Sequence, residues 1–124
     1  MNRAVFIAGT DTGIGKTHAA CTLLHALRAA GRSACGMKPV ASGCAETPDG
    51  LRNDDALALL AAGDTEAPYA LVNPTTLREP LSPHLAAEHD GTEITLAPLR
   101  EAFVQLQATH DAVVVEGIGG WLVP

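Results

Sequence analysis

Between positions 9 and 17 the chain reads Gly9-Thr10-Asp11-Thr12-Gly13-Ile14-Gly15-Lys16-Thr17, three glycines followed by a cation and a hydroxyl. Those residue types in that order can cradle phosphate. The glycines let the backbone curl so that its N–H groups point inward at an anion, and a helix starting beyond them turns the positive end of its dipole toward the same place. Lys16 can then reach the β and γ phosphates, and the Thr17 hydroxyl can hold Mg²⁺. The common phosphate loop, Gly-x-x-x-x-Gly-Lys-Ser/Thr, is one residue shorter than the span from Gly9 to Thr17, so this loop is a variant of it. A dinucleotide fingerprint fits less well, because Gly-x-Gly-x-x-Gly asks for neither the lysine nor the hydroxyl. The plain alternative is a glycine turn ahead of an ordinary helix.

Glu116 closes the apolar run Ala112-Val113-Val114-Val115. At the carboxyl end of a parallel strand an acid lies on the ligand side of the sheet, near the loop after the first strand if the two strands are close, which makes Glu116 a candidate Mg²⁺ ligand. Asp54 and Asp55 are a second acidic pair. Mg²⁺ accepts one or two carboxylates beside phosphate oxygens and water, so Thr17, one of these aspartates and Glu116 make an acceptable shell. The same aspartates serve equally well to cap and charge a helix start. Lys38, after an apolar strand and before Pro39, stands where a cation can be held beside a phosphate or carboxylate; its alternative is an exposed surface lysine. Gly117-Ile118-Gly119-Gly120 offers either a second nest of backbone donors around an oxyanion or an ordinary turn. His84, in Pro-Leu-Ser-Pro-His, is a base or a loop residue, and Trp121 shields a ligand or fills core space. No Ser, His and acid set has the context of a nucleophile elbow, and the His and Cys residues show no zinc spacing.

These groups need elements to hold them. Ala4-Val5-Phe6-Ile7-Ala8 is a continuous apolar run that predicts a first strand buried on both faces. Residues 16–30 place Ala20, Leu23, Leu24 and Leu27 at helical spacing, with Gly31 as the C-cap. Residues 33–37 predict a second strand, which Pro39 ends because it cannot donate to a central ladder. Residues 43–53 read as a loop, after which Asp54 or Asp55 opens a helix to about Ala62 with Leu57, Leu60 and Ala61 as its apolar side. Pro74, Pro80 and Pro83 predict an ordered loop over 73–84, with a short helix possible at 85–88. Residues 96–109 carry Leu99, Ala102, Phe103, Leu106 and Ala108 mostly on one helical face, and residues 111–116 read as a buried strand. Strand, helix, strand, helix, helix, strand implies an α/β layered fold with a mainly parallel sheet flanked by helices. One domain is the simplest account. A central strand near the end with nothing to follow it predicts that the fold continues past Pro124.

With 8 Lys plus Arg against 14 Asp plus Glu the formal charge is -6, and the few basic residues form no patch interleaved with aromatics, so nucleic-acid recognition finds no support. Apolar residues are 47% of the chain and charged residues 18%, which opposes disorder, and the 3% aromatic share points to a core of Ala, Leu and Val. No apolar run approaches the length of a membrane span and the first residues form no export signal, so a cytoplasmic protein is expected. Cys21, Cys35 and Cys44 are odd in number and far apart, which suits reduced thiols.

Taken together, the loop at 9–17, Met-Lys-Pro-Val-Ala-Ser-Gly at 37–43, Leu-Arg-Asn-Asp-Asp-Ala at 51–56, Asn-Pro at 73–74, Pro-Leu-Ser-Pro-His at 80–84 and Val-Glu-Gly-Ile-Gly-Gly-Trp at 115–121 resemble the dethiobiotin synthetase family. The block at 37–43 separates this resemblance from phosphate-loop ATPases in general. It implies a P-loop NTPase-like fold in which residues 1–124 are the N-terminal part of a single ATP-binding domain, with further strands and helices beyond. It also implies a homodimer that carboxylates 7,8-diaminononanoate with CO₂, activates the carbamate with ATP and closes a ureido ring. Carried over to this sequence, Gly13, Ile14, Gly15 and Lys16 cradle the phosphates, and Thr17, Asp55 and Glu116 hold Mg²⁺. Thr12 sits beside substrate and phosphate, Lys38 stabilises the carbamate and the transferring phosphoryl group, Ser42 hydrogen-bonds nearby, and the backbone at Gly117 and Gly119 closes the anion cradle. The rival readings are a related amidotransferase-type synthetase using the same groups on a different acid, and a nucleotide-binding regulatory ATPase.

Overall fold

Three valines in a row suit a strand shielded on both faces, because β-branched side chains pack well on a pleated surface and nothing in the run needs water. In the computed structural model, which describes residues 3–7, 14–78, 88, 91 and 94–117, that run lies in β7 (Ala112–Glu116), and all five of its residues are buried. It is the middle strand of a parallel sheet, between β1 (Arg3–Ile7) and β2 (Ala34–Met37). Ile7 pairs with Glu116 on one side and Met37 with Val115 on the other. The ends of all three strands therefore open at one edge of the sheet.

Between these strands the described chain forms α1 (Ile14–Ala29), β3 (Val40–Ala41), β4 (Ala45–Thr47), β5 (Gly50–Arg52), α2 (Asp54–Ala62), α3 (Tyr69–Val72), β6 (Thr75–Thr76) and α4 (Leu96–Thr109). Helices cover both faces of the sheet. Val113 and Val115, with Cys35 and Met37, pack against Val72 of α3 and Ala102 and Leu106 of α4. Ala112 and Val114, with Ala34, pack against Ala20 and Leu24 of α1 and Leu59 and Ala62 of α2. Side chains alternate along a strand, so the parity that sends Val114 toward α1 and α2 sends Glu116 the same way. The layered α/β architecture with a parallel sheet is thus the one the element order predicted.

Sequence spacing located α1 well. Its C-terminus closes on Gly31, at φ +82°, where the Gly31 and Arg32 amides donate to the Arg28 and Leu27 carbonyls; these are the two bonds of a Schellman cap. For α2 the expected face is only partly right: Leu60 packs against the core, but Ala56, Leu59 and Ala62 are the buried residues, while Leu57 is 40% exposed and Ala61 is exposed. The sequence Asp-Asp-Ala-Leu-Ala-Leu-Leu-Ala-Ala is apolar almost all round, so periodicity could not choose. The glycines chose instead. A Cβ on Gly36 of β2 would lie 2.7 Å from the Leu59 Cβ, and one on Gly63 would lie 3.0 Å from the Ala34 carbonyl oxygen, so bare backbone lets this side of α2 approach the strand.

Three further differences concern local structure. Residues 43–53 contain a hairpin, β4 paired antiparallel with β5, built on Thr47-Pro48-Asp49-Gly50 with Gly50 at φ +112°. The single turn α3 precedes the proline-rich stretch, which opens with β6, paired parallel to β3. Among the described residues β1 has one neighbour, β7, and it is not buried on both faces as expected: Phe6 is 68% exposed, its ring 6.3 Å from that of Phe103 on α4. The short helix expected at 85–88 lies outside the described residues except for Glu88.

All three cysteines are free, and burial pushes the Cys35 thiol up to about 12, which leaves it inert at neutral pH.

Candidate active site

The chain contains two lysines, Lys16 and Lys38, and both converge on the carboxyl end of β7. Lys38 follows β2 directly, and its parity carries it to the same face as Glu116. Its Nζ lies 2.6 Å from Glu116 Oε2 and 3.5 Å from Asp55 Oδ2. Lys38 is 5% exposed and Glu116 1%, so this is a desolvated pair and not the surface lysine that was the alternative. Moving two such charges out of water costs several kcal/mol each (about), recovered only through close contact and further hydrogen bonds. Asp55, half in solvent, supplies the second carboxylate.

Asp55 is aimed by the start of α2. Asn53 is the N-cap, its Oδ1 accepting the Ala56 amide at 3.0 Å, so Asp54 and Asp55 occupy the first turn and neither caps the helix. There their charges meet the positive end of the helix dipole. Asp54 is exposed, while Asp55 faces Lys38.

Lys16 and Thr17 lie in the first turn of α1, immediately after the glycine loop. Lys16 Nζ donates to the Gly117 carbonyl at 3.2 Å, and the Gly117 amide donates to the Ile7 carbonyl at 3.1 Å. Gly117 is thereby tied to both β1 and α1. Thr17 is buried, and among the described residues its Oγ1 has no hydrogen-bond partner; Glu116 Oε1 is likewise buried without one among them. Two orphaned oxygens are unusual at such a site, since buried polar atoms are nearly always satisfied. Cys21 lies one helical turn beyond Thr17, and its thiol pKa is raised by burial first, then by the charges of Glu116 and Asp55. Hydroxyl and carboxylate oxygens on this face of α1 and β7 form a hard donor set that fits Mg²⁺.

Of the other expected residues, Gly15 lies in the first turn of α1 with open space where a Cβ would be, and Ser42 is half-buried just after β3. Ile14 begins α1. Thr12, Gly13, Gly119, His84 and Trp121 lie outside the described residues.

Sequence reasoning assigned no role to Tyr69 or Asn73. Asn73 is 2% exposed; its Nδ2 donates to the Lys38 carbonyl at 2.7 Å, and its Oδ1 accepts the Tyr69 hydroxyl at 2.8 Å. That hydroxyl in turn accepts the Asn53 amide at 2.8 Å. The Asn-Pro dipeptide was visible in the sequence, but the partners of Asn73 are a distant main-chain carbonyl and the Tyr69 hydroxyl, which no spacing rule reveals.

The family model described as "AAA domain" matches residues 3–124 of the chain. The ATP-dependent dethiobiotin synthetase of Xanthomonas oryzae pv. oryzae (strain PXO99A) is 56% identical over 121 residues, covering 98% of this chain and 54% of that protein. The protein of the same name from Xanthomonas axonopodis pv. citri (strain 306) is 56% identical, and that of Xylella fastidiosa (strain 9a5c) 54%, over the same shares of each chain. The chain spans about half the length of the curated relatives it matches. The resemblance drawn from the motifs is thus matched by sequence identity along nearly all of the chain.

Proposed function

We propose that this chain, which belongs to the AAA-domain family, is the phosphate- and carbamate-handling part of an ATP-dependent dethiobiotin synthetase of biotin biosynthesis, residues 1–124 forming part of a single ATP-binding domain. The observation that carries the reading is the buried Lys38 ammonium held between Glu116 and Asp55 at the edge where the glycine loop ends. A generic nucleotide hydrolase has no need of a second, desolvated lysine there. A carbamate does, because its negative oxygen has to approach an anionic phosphate.

The reaction would run in three steps. One amine of 7,8-diaminononanoate adds to CO₂ and loses a proton, giving the carbamate. A carbamate oxygen attacks the γ-phosphorus of ATP, forming a carbamic–phosphoric anhydride and ADP. The second amine then attacks the carbamoyl carbon, expelling phosphate and losing a proton as the ureido ring of dethiobiotin closes. Phosphoryl transfer asks mainly for positioning and charge stabilisation, which the chain's groups can supply. Lys16, with Gly13, Ile14 and Gly15, would hold the β and γ phosphates; Lys38 would hold the carbamate oxygen against the phosphorus, with Thr12 and Ser42 beside it. The Gly117 and Gly119 backbone would complete the cradle.

Thr17, Asp55 and Glu116 would hold Mg²⁺. When bound, the ion neutralises charge developing on the phosphate oxygens. Thr17 Oγ1 and Glu116 Oε1, buried without a partner among the described residues, support this donor set. The working form would be a cytoplasmic homodimer.

The test is conversion of 7,8-diaminononanoate, bicarbonate and ATP to dethiobiotin, followed by mass spectrometry, with Lys16→Ala and Lys38→Ala compared. Lys16→Ala should weaken ATP binding, whereas Lys38→Ala should abolish product formation with ATP binding largely kept. ATP turnover that proceeds without the diamine and amidates another acid would point to the amidotransferase-type reading instead.

A further inference from the structure

Lys38 is gripped by its backbone as firmly as by its side chain. Its amide donates to the Val72 carbonyl at 2.7 Å, and its carbonyl accepts Asn73 Nδ2 at 2.7 Å. The next link, the Thr75 amide to the Pro39 carbonyl at 3.0 Å, continues the same seam into the short β3 and β6 ladder. The end of α3 therefore fixes the chain where it leaves β2, the point at which the lysine must turn toward Glu116.

The same grip extends to the carboxylate on the other side of the ammonium. Asn73 Oδ1 accepts the Tyr69 hydroxyl at 2.8 Å, and that oxygen accepts the Asn53 amide at 2.8 Å. Asn53 caps α2, whose first turn carries Asp55, and Asp55 Oδ2 returns to Lys38 Nζ at 3.5 Å. The path closes on itself: Lys38 carbonyl, Asn73, Tyr69, Asn53, the start of α2, Asp55, Lys38 ammonium. Arg52 lies over the Tyr69 ring at 4.1 Å and packs it in place. Asn73 is 2% exposed, yet both ends of its amide are used. A buried amide with both ends spent on one lysine's carbonyl and one tyrosine is costly to install for packing alone.

We infer that Tyr69 and Asn73 are positioning residues that lock the Lys38 backbone to the N-cap of α2, so that Lys38 and Asp55 keep one geometry around the reacting carbamate. The part of this inference that concerns turnover rests on the function proposed above. Neither residue contacts the reacting groups. Their effect reaches the chemistry through Lys38 and Asp55, and a small misplacement of a positioned group is enough to slow a reaction strongly.

The test uses Tyr69→Phe, which removes the bridging hydroxyl and keeps the ring, and Asn73→Asp, which keeps the shape and turns the donor at the Lys38 carbonyl into an acceptor. Lys16 and Lys38 are acetylated with a water-soluble N-hydroxysuccinimide ester, their peptides are quantified by mass spectrometry, and melting temperatures and steady-state constants are measured alongside. Lys38 should acetylate several-fold faster in both variants with Lys16 unchanged, and turnover should fall by roughly tenfold at an unaltered KM for ATP. Unchanged Lys38 labelling would overturn the inference, as would both lysines speeding up together with a falling melting temperature. Faster Lys38 labelling with unchanged turnover would also overturn the positioning role. If the parent protein forms no dethiobiotin, the proposed function fails while the labelling still decides whether the brace holds Lys38.

Discussion

At the scale of single residues, the site turns on a buried cation and two carboxylates. Removing the Lys38 ammonium strands Glu116 as an uncompensated charge at 1% exposure. Lys38→Met should therefore cost about 3–5 kcal/mol of unfolding free energy at neutral pH, and adding Glu116→Gln should recover most of it. Urea titration of the three variants checks this; a Lys38→Met cost below about 1 kcal/mol would contradict a desolvated pair. Glu116→Gln alone keeps the volume and removes the charge, so half-saturation for Mg²⁺ should rise at least severalfold, and an unchanged metal titration would exclude coordination by this residue. Lys16, Thr17 and Glu116 were legible because their chemistry is written in local order: glycines then a cation, valines then an acid. Lys38 was legible as a position and not as a buried group. Asn73 was not legible as a brace, because its partner carbonyl is 35 residues away.

At the scale of elements, α2 joins the site to the sheet. Its approach depends on Gly36, where an added Cβ would meet the Leu59 Cβ at 2.7 Å and Leu24 Cδ1 at 3.2 Å. Gly36→Ala should destabilise the protein by about 1–3 kcal/mol, read from the denaturation midpoint, because a backbone-borne Cβ cannot swing aside as a side-chain tip can. At its other end α2 relies on Asn53, and Asn53→Ala should cost about 0.5–2 kcal/mol through the lost cap. Beyond α2, Asp64 binds the ring of His110 at 2.7 Å, and this hydrogen bond holds its carboxyl below the usual aspartate range. A depressed carboxyl pKa gives stability that is present above the ordinary value near about 3.9 and is lost as pH falls through the folded value. Asp64→Asn should therefore flatten acid unfolding in that range. Helix existence and the α1 face were legible from periodicity. The face of α2 was hidden by its near-uniform apolar sequence, and the hairpin by its brevity, although Pro48-Asp49-Gly50 carried a turn signal.

For the molecule as a whole, the decisive feature is the strand order. β7 lies between β1 and β2, so the end of β1, Lys38 after β2 and Glu116 at the end of β7 meet at one edge. Element types along the chain implied a parallel sheet, and the valine run a central last strand, but not that β1 and β2 are the strands that flank it. That arrangement is what puts residues 101 and 78 positions apart in contact, Lys16 with Gly117 and Lys38 with Glu116. Under the proposed function, this meeting point transfers a phosphoryl group to a carbamate rather than to water. That transfer is tested most directly by supplying ¹⁸O-labelled CO₂ with ATP and 7,8-diaminononanoate and following the label before it exchanges with solvent. Attack by a carbamate oxygen predicts one labelled oxygen in each phosphate released and the other in the ureido carbonyl of dethiobiotin. Phosphate that carries no label while ATP is consumed would contradict the account.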